Sequence, residues 1–400
     1  MITVQEAQEL INKYSIALET EHVALQDAHG RVLSQTISAD RDFPPFNRVT
    51  MDGIAIQFTD WQAGARVFQI SGTQAAGSPP LKIQASNQAI EVMTGAVLPE
   101  GTDTVIPYES IVIDNQKREA VIEIAPKAGQ NVHRKGSDRE MNTVIITQGT
   151  LIGAPEAGIA ATVGKSEVEV LKPPRVAIIS TGDELVPIDQ IPLAHQIRSS
   201  NASTIANALK DWHINADQFH IVDDLEGTTR TLSQLINNYH ILILSGGVSK
   251  GKFDYVPSAM QELQVKKEFH RIAQRPGKPF WFGSHPSGSL IFAFPGNPVS
   301  GFMCFTRYLR PWLNRAFQQE DNPIEAQLIS DIKFEPSLTY FAQVKIHRDK
   351  DLLVAQPVEG HGSGDLANLV DADGFLELPS DKNEFHQGER YPIYAYRDLW

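Results

Sequence analysis

The sequence predicts a multidomain chain of the α/β plus β class: a three-layer α/β parallel-sheet domain, strand-rich N-terminal modules and a small all-β C-terminal domain. Three observations support this prediction. The chain has 400 residues, more than one ordinary hydrophobic core organises. Between residues 174 and 322, continuous apolar runs alternate with helical patterns, which is typical of a parallel sheet covered on both faces. Short β-branched runs dominate on either side of this region.

Residues 1–19 predict an amphipathic helix. Thr3 and Glu6 have the capping-box spacing at its start, and Leu10 with Ile11 belongs to its apolar face. From about residue 20 to 172, runs such as VFQISG and NTVIITQGT alternate with Gly and Pro, which predicts strands joined by turns. The two prolines of LKPPR (171–175) predict a linker, because consecutive prolines end regular structure.

The next segment predicts the parallel sheet. Four apolar runs are the expected strands: RVAIIS, FHIV, HILIL and SLIFAF. The expected helices are NASTIANALKDW, TTRTLSQLINNY, VPSAMQEL and VSGFMCFTRYLRPWL, and Asn201 or Ser203 is the expected cap of the first. Past about residue 322, alternation returns in AQVKIHR, LLVAQPV, GFLELP and YPIYAY, which predicts the small all-β domain.

Composition excludes several classes of function. The net charge is −13, from 35 basic and 48 acidic residues, which argues against general nucleic-acid or acidic-membrane binding. No apolar run approaches the length of a membrane span, and the polar start is unlike a signal peptide, so we expect a cytoplasmic protein. The single cysteine, Cys304, excludes an internal disulfide, and its apolar neighbours predict a buried thiol.

Polar and glycine-rich segments follow all four predicted strands. They are TGDEL, Asp223 with Asp224, SGGVSKGKFDY and PGNPVS. Because ligands of parallel sheets bind beyond the carboxyl ends of the strands, these segments predict one shared site. Each acidic residue taken alone is also explained as a helix cap.

The stretch SGGVSKGKFDY (245–255) nearly matches a phosphate-binding P-loop. The pattern needs Ser or Thr after Lys252, where this chain has Phe253, so a P-loop NTPase is disfavoured. Gly246 and Gly247 allow backbone N–H groups to turn toward an anion, and PGNPVS (295–300) does the same at the next strand. Two adjacent turns of this kind suit a phosphate-bearing ligand. The alternative is two tight turns without a ligand.

A basic patch interrupts the acidic sequence between residues 266 and 278. Arginine and lysine at such a patch suit a small oxyanion. Lys266 and Lys267 are also explained by a solvated helix face, whereas Pro and Gly place Arg275 and Lys278 on a fixed loop. Upstream, Asp52, Thr94 and Asp138 lie in turn-like motifs that are equally consistent with hairpin turns.

Six motifs, in this order, resemble signatures of the molybdopterin molybdotransferase family: VMTGAVLPEGTDTVIPYE, NVHRKGSD, STGDEL, SGGVSKGKFDY, RPGKPF and PGNPVS. These are the molybdenum-insertion enzymes of molybdenum-cofactor biosynthesis, and they include a domain of gephyrin. The last four motifs alone are less specific, because molybdopterin adenylyltransferases share the sheet and the SGGVS…D loop, whereas the first two motifs belong to the insertion enzymes. Asn47, Val49 and Ile54 depart from the usual Asp, Ser and Tyr; Arg stands for Lys at 271 and 275; GSD replaces Gly-Glu-Asp.

The resemblance implies an elongated homodimer of four-domain subunits with a C-terminal β-barrel. The implied domains are 20–38 with 143–173 as a linker domain, 39–142 as domain II, 1–19 with 174–322 as the molybdopterin-binding sheet domain, and 323–400. The active cleft would lie between the sheet domain of one subunit and domain II of the other. The implied substrates are adenylylated molybdopterin and molybdate, with AMP released in the presence of a divalent cation such as Mg²⁺.

The motifs and the resemblance together give the candidate residues. The expected catalytic residues are Asp52, Thr94, Asp138, Glu184 and Asp254. The expected substrate-binding residues are Ser245, Gly246, Gly247, Ser249, Arg271, Arg275, Lys278, Pro295, Gly296, Asn297, Pro298 and Ser300. Hard cations prefer carboxylate oxygens, so the expected metal ligands are Glu184, Asp223, Asp224 and Asp254, with Asp183 beside them.

Other functions stay open at this point. The closest is a molybdopterin adenylyltransferase, which makes the adenylylated intermediate instead of consuming it, and which is also a possible protein partner. A non-catalytic scaffold with the same fold is the second, because the segment NRVTMDGIA carries the replacements Asn47, Val49 and Ile54.

Overall fold

The computed structural model describes residues 1–221, 224–248, 255–320 and 324–397. They form two compact units. Unit 1 comprises residues 1–34, 151–153 and 168–400, and unit 2 comprises residues 35–150 and 154–167. The four domain boundaries expected from the resemblance stay a prediction.

A six-stranded sheet is the centre of unit 1. Its strands, in spatial order, are Asp217–Ile221, Val176–Thr181, Ile241–Ser245, Leu290–Phe294, Trp281–Ser284 and Lys266–His270. The first four are parallel, as the sequence predicts, and each of the last two pairs antiparallel with the strand before it. The edge strand corrects the expectation of a helix face at Lys266 and Lys267. Its charged residues lie beside the buried Phe269, which pairs with Phe282 across the antiparallel edge.

The sheet is buried on both faces, as a three-layer fold requires. Consecutive residues of one strand enter different cores: Ile178 lies in one and Ile179 in the other. The first core receives the helices Val4–Asn12, Ser200–Ala208, Pro298–Cys304 and Arg310–Ala316. The second core receives the helices Leu225–Asn238 and Val256–Glu262.

Helix boundaries differ from the prediction at several ends. The first helix has the predicted capping box of Thr3 and Glu6, but it ends at Asn12, after which the chain becomes the strand Thr20–Ala24. The helix Ser200–Ala208 begins after Ser199, so neither Asn201 nor Ser203 caps it. The long helix predicted from residue 299 contains a π-helical turn, Phe305–Leu309, just before Pro311, which has no N–H for the helical ladder.

A closed barrel completes unit 1 and confirms the predicted β domain. Its strands are Ile324–Leu328, Thr339–Asp349, Leu352–Pro357, Gly374–Leu378 and Arg390–Ala395. The short strand Gln274–Arg275 from the sheet region pairs with Thr339 and Tyr340 of the barrel. This pairing brings the basic patch and the barrel together.

Unit 2 has a six-stranded sheet of its own. Its strands, in spatial order, are Thr104–Pro107, Gly53–Ile56, Gln88–Val92, Val67–Gln74, Glu119–Ile122 and Ile111–Asp114. Two short pairs accompany it, Arg48–Val49 with Val132–His133 and Ile37–Ser38 with Val144–Ile146. The helices of this unit are Phe58–Gln62 and Ala154–Thr162.

Two expectations about individual features can be compared with the fold. Cys304 is fully buried, as predicted, and burial raises the pKa of its thiol. Among the described residues, none of the helices has both the length and the apolar character of a membrane span.

Candidate functional site

A cavity of about 1350 Å³ lies in unit 1, at the carboxyl ends of the parallel strands. It is bounded by segments that follow three of these strands, by the loop 274–279 and by the barrel loop 360–364. The predicted residues that line it are Glu184, Ser245, Gly246, Gly247, Arg275, Lys278, Pro295, Gly296, Asn297, Pro298 and Ser300. Three of the four segments that the sequence predicts at one edge of the sheet therefore form one cavity, and the described member of the fourth, Asp224, is not among its lining residues.

The turn after the strand Ile241–Ser245 depends on two glycines with positive φ. Gly246 has φ +102°, and a Cβ there would lie 2.7 Å from Thr181 Oγ1. Gly247 has φ +70°, and a Cβ there would lie 2.7 Å from Val256 Cγ2. The N–H of Gly246 donates to the Phe294 carbonyl at 3.1 Å, so this amide belongs to the sheet and is not presented to an anion. The glycines give a close backbone approach at the cavity wall.

Asn201 joins this turn to the next one. Its Nδ2 donates to Ser245 Oγ at 2.9 Å and to the Gly296 carbonyl at 2.6 Å. A Cβ on Gly296 would lie 3.5 Å from Gly246 Cα, so the two turns are in close contact. The sequence analysis considered Asn201 only as a helix cap. No local signal reveals its role, because the two partners are separated from it by 44 and 95 residues.

The motif PGNPVS ends a strand and begins a helix. Asn297 precedes the helix Pro298–Cys304, and Pro298 occupies the first helical turn as predicted. Asn297 Nδ2 donates to Ser363 Oγ at 2.7 Å, and the Val299 N–H donates to the Ser363 carbonyl at 3.1 Å. The barrel loop 360–364 thus closes this side of the cavity, and the sequence analysis did not identify it.

Two cations of the basic patch line the cavity. Arg275 and Lys278 are exposed, and within the described ranges neither has an acidic side chain at ion-pair distance. Arg198, which the sequence analysis did not single out, is a third lining cation, and its Nε donates to the Gln190 carbonyl at 3.0 Å. Arg271 is half-buried at φ +77° and is not among the lining residues.

Not all cations of the basic patch are without an acidic partner. Lys266 pairs with the nearly buried Glu268 at 2.7 Å, so its charge is already compensated. Burial opposes ionisation of Glu268, but hydrogen bonds from Lys266 and Tyr14 outweigh it and lower its pKa. The cations of the patch that are available to a ligand in the cavity are therefore Arg275 and Lys278, on either side of the turn at Pro276 and Gly277.

The expected metal ligands have different positions. Glu184 lines the cavity, and its carboxylate covers Gly182, where a Cβ would lie 2.5 Å from Glu184 Oε2. Asp224 caps the helix Leu225–Asn238 by accepting from the Gly227 N–H at 2.7 Å. Asp223, Ser249 and Asp254 lie outside the described residues. The described part of the chain has no cluster of three metal-ligating side chains.

The predicted residues of unit 2 form two local arrangements. Asp52 Oδ1 accepts from the Thr94 N–H at 2.6 Å and from Thr94 Oγ1 at 2.7 Å. The backbone hydrogen bond, followed by that of the hydroxyl, lowers the pKa of Asp52. Asp138 Oδ1 contacts His133 Nε2 at 2.7 Å, while His133 Nδ1 lies 3.1 Å from Arg48 Nη2.

Three of the departures from the family pattern, Asn47, Val49 and Ile54, have structural explanations. Asn47 Oδ1 accepts from the Lys135 N–H at 3.0 Å, a role that a carboxylate oxygen could also fill. Val49 and Ile54 are buried, in separate cores of unit 2. All three residues therefore support the local fold of this segment.

Fold and cavity together define a multidomain protein of the molybdopterin-binding class. Three families match in order: "MoeA N-terminal region (domain I and II)" at residues 2–164, "Probable molybdopterin binding domain" at 177–315, and "MoeA C-terminal region (domain IV)" at 325–396. The chain belongs to the MoeA family of molybdopterin molybdenumtransferases, which are transferase enzymes.

Similarity to individual relatives extends over the full length. A molybdopterin molybdenumtransferase from Synechocystis is 40% identical over 399 residues, covering 99% of this chain and 100% of the relative. One from Bacillus subtilis is 29% identical, covering 99% of this chain and 94% of the relative. The crystal structure of a molybdopterin biosynthesis MoeA protein from Pyrococcus horikoshii has a TM-score of 0.87 at 28% identity, with 100% of both chains covered.

Proposed function

We propose that this protein inserts molybdenum from molybdate into adenylylated molybdopterin and releases AMP. The observation that carries the proposal is the pair of exposed cations, Arg275 and Lys278, beside the two contacting turns at Gly246 and Gly296. A cavity of about 1350 Å³ has room for a nucleotide-bearing pterin as well as an oxyanion. Full-length relatives named molybdopterin molybdenumtransferase support the same activity.

The chain's own residues have two tasks in this reaction. Molybdate and the phosphates of the substrate are both anions, so they repel one another when they share a cavity. Arg275 and Lys278 supply positive charge that reduces this repulsion, and their N–H groups can donate to oxyanion oxygens. Asn201 keeps the two glycine turns in contact, which fixes the wall against which the substrate binds.

A divalent cation such as Mg²⁺ fits this site when it is completed by the substrate. Mg²⁺ typically binds one or two carboxylates, several waters and substrate phosphates. Glu184 is the described carboxylate in the cavity wall, and Asp223 and Asp254 are the further candidates from the sequence. Asp224 is the weaker candidate, because its Oδ1 already caps a helix. The cation would neutralise charge on the phosphates.

The proposal includes the cellular setting expected from the resemblance. We propose a cytoplasmic homodimer in which Asp52, Thr94 and Asp138 of unit 2 complete the site of the other subunit. Contact with a molybdopterin adenylyltransferase would shorten the transfer of the adenylylated intermediate. No nucleic-acid or membrane partner is proposed, in agreement with the net charge of −13.

The test is AMP release from adenylylated molybdopterin by the purified protein, with and without molybdate. We expect molybdate-dependent AMP release and formation of molybdenum cofactor. A second arm supplies ATP and molybdopterin, and adenylylation there would support the adenylyltransferase alternative, which the names of the full-length relatives do not favour. Inactivity in both arms, with the substrate bound, would support a scaffold and refute the proposal.

A further inference from the structure

The loop that carries the two available cations, residues 275–278, rests on a buried amide. We call it the basic loop. Gln274 is 0% exposed, whereas Arg275 and Lys278 on either side of the turn are exposed. Gln274 Nε2 donates to the Gly277 carbonyl at 3.2 Å and lies 3.6 Å from Cys304 Sγ. The Gln274 side chain thus connects the residue just before the basic loop to the turn at Gly277.

The other end of the amide is fixed by a second buried residue. The hydroxyl of Tyr308, which is 0% exposed, donates to Gln274 Oε1. Burial raises the pKa of Tyr308 far above its ordinary value, so the hydroxyl remains a donor. With Oε1 accepting and Nε2 donating, the orientation of the amide is determined by its partners. Because the oxygen and the nitrogen of this buried amide both have hydrogen-bond partners, the amide is held in one geometry.

The turn of the basic loop also packs against the helix Pro298–Cys304. Gly277 has φ +88°, and a Cβ there would lie 2.7 Å from both Cys304 Sγ and Met303 Cε. The start of the same helix belongs to the PGNPVS turn, on the neighbouring wall of the cavity. The helix therefore contacts the basic loop at its end and contributes to the cavity wall at its start, so it fixes the position of the loop relative to that wall.

We propose that Gln274 is a positioning residue for oxyanion binding: by holding the Gly277 carbonyl, its amide fixes the spacing of Arg275 and Lys278. The inference rests on the proposed function, in which these two cations bind the oxyanion. Gln274 acts through the basic loop. Without its hydrogen bonds the two cations remain present, but the loop has more conformations to lose when an anion binds.

The test variant is Gln274→Met, which keeps a similar volume and removes both hydrogen bonds. We expect the molybdate Kd, measured by calorimetry, to rise about 5- to 10-fold, the effect of one net hydrogen bond. Amide hydrogen exchange of residues 277–280, followed at Gly277, Lys278 and Phe280 because Pro279 has no N–H, should increase in the ligand-free protein. Tyr308→Phe, which removes only the second partner, should change both quantities in the same direction and by less.

The control is Ser289→Ala, at the opposite end of the same sheet. Ser289 is 4% exposed, and its hydroxyl donates to the Ile236 and Tyr239 carbonyls. Its loss removes buried hydrogen bonds just before the strand Leu290–Phe294, away from the carboxyl-end cavity. We expect a lower melting temperature with unchanged molybdate Kd and unchanged exchange of residues 277–280.

A variant that lacks both cations distinguishes a positioning role of Gln274 from general destabilisation of the protein. In the double variant Arg275→Ala Lys278→Ala, Gln274→Met should cause no further loss of molybdate affinity, because the cations through which it acts are gone. An additive loss there, or an unchanged Kd in Gln274→Met alone, overturns the inference. Unchanged exchange of residues 277–280 also overturns it. A wild-type protein that binds no molybdate refutes the proposed function itself and with it this role of Gln274.

Discussion

Removing one cation of the basic loop should weaken the use of molybdate without unfolding the protein. Lys278 is exposed, and no acidic side chain in the described part of the chain is paired with it, so Lys278→Ala breaks no ion pair among the described residues. A hydrogen bond to a charged group is worth about 1.5–3 kcal/mol, so its loss should weaken oxyanion binding roughly 10- to 150-fold. Arg275→Ala should have an effect of the same order.

The assay is a molybdate titration of AMP release at low and moderate salt, together with thermal unfolding. Lys267→Ala is the matched control, because Lys267 is an exposed cation on the edge strand and is not among the cavity-lining residues. Lys266→Ala is less suitable, since it would leave the nearly buried Glu268 without its partner. Only the basic-loop variants should raise the molybdate requirement.

Two results would refute the proposal that the basic loop is a specific anion site. If Lys267→Ala raises the molybdate requirement as much as Lys278→Ala does, the effect is one of general surface charge, and the basic loop is not a specific anion site. If neither basic-loop variant changes the titration, the oxyanion binds elsewhere. A salt dependence shared equally by all variants would also indicate long-range charge rather than a local contact.

Three further predictions follow from the same geometry. Asn201→Ala removes two hydrogen bonds and should lower kcat/KM for adenylylated molybdopterin about 10-fold, measured by AMP release, whereas an unchanged value would limit Asn201 to folding. Gly246→Ala must adopt φ near +102° against a neighbouring hydroxyl and should cost about 1–3 kcal/mol of unfolding free energy by denaturant titration; wild-type stability would contradict the turn geometry. Mixed dimers of Asp52→Asn with Lys278→Ala subunits should release AMP faster than either variant alone at a limiting molybdate concentration, and a fully active monomer in light scattering would rule out the shared site proposed for the homodimer.

Much of the fold could be predicted because apolar runs carry a clear signal. Three of the four parallel strands were predictable because strands buried on both faces need continuous apolar residues, as in RVAIIS and HILIL; the fourth, Asp217–Ile221, is a mostly exposed edge strand. The antiparallel edge was not predicted, because Lys266–His270 is short and mainly charged. The capping box at Thr3 and Glu6 was predictable because it depends only on local spacing.

Only part of the candidate site was predictable from the sequence. Segments that follow parallel strands converge at one sheet edge, so Glu184, Gly246 and Gly296 could be assigned to a shared site from their order alone. Asn201 and the barrel loop 360–364 could not, because their partners are distant in sequence. Glycine motifs also leave open which amides remain free: the N–H of Gly246 bonds to a neighbouring strand.

The central claim is that the cavity at the carboxyl ends of the parallel strands binds the molybdenum oxyanion. The most direct measurement is the anomalous diffraction of crystals grown with molybdate, recorded at the molybdenum absorption edge. We expect a peak within hydrogen-bonding distance of Arg275 or Lys278, and its loss in the Arg275→Ala Lys278→Ala protein. A molybdenum peak that lies away from the basic loop and persists in that double variant would contradict it.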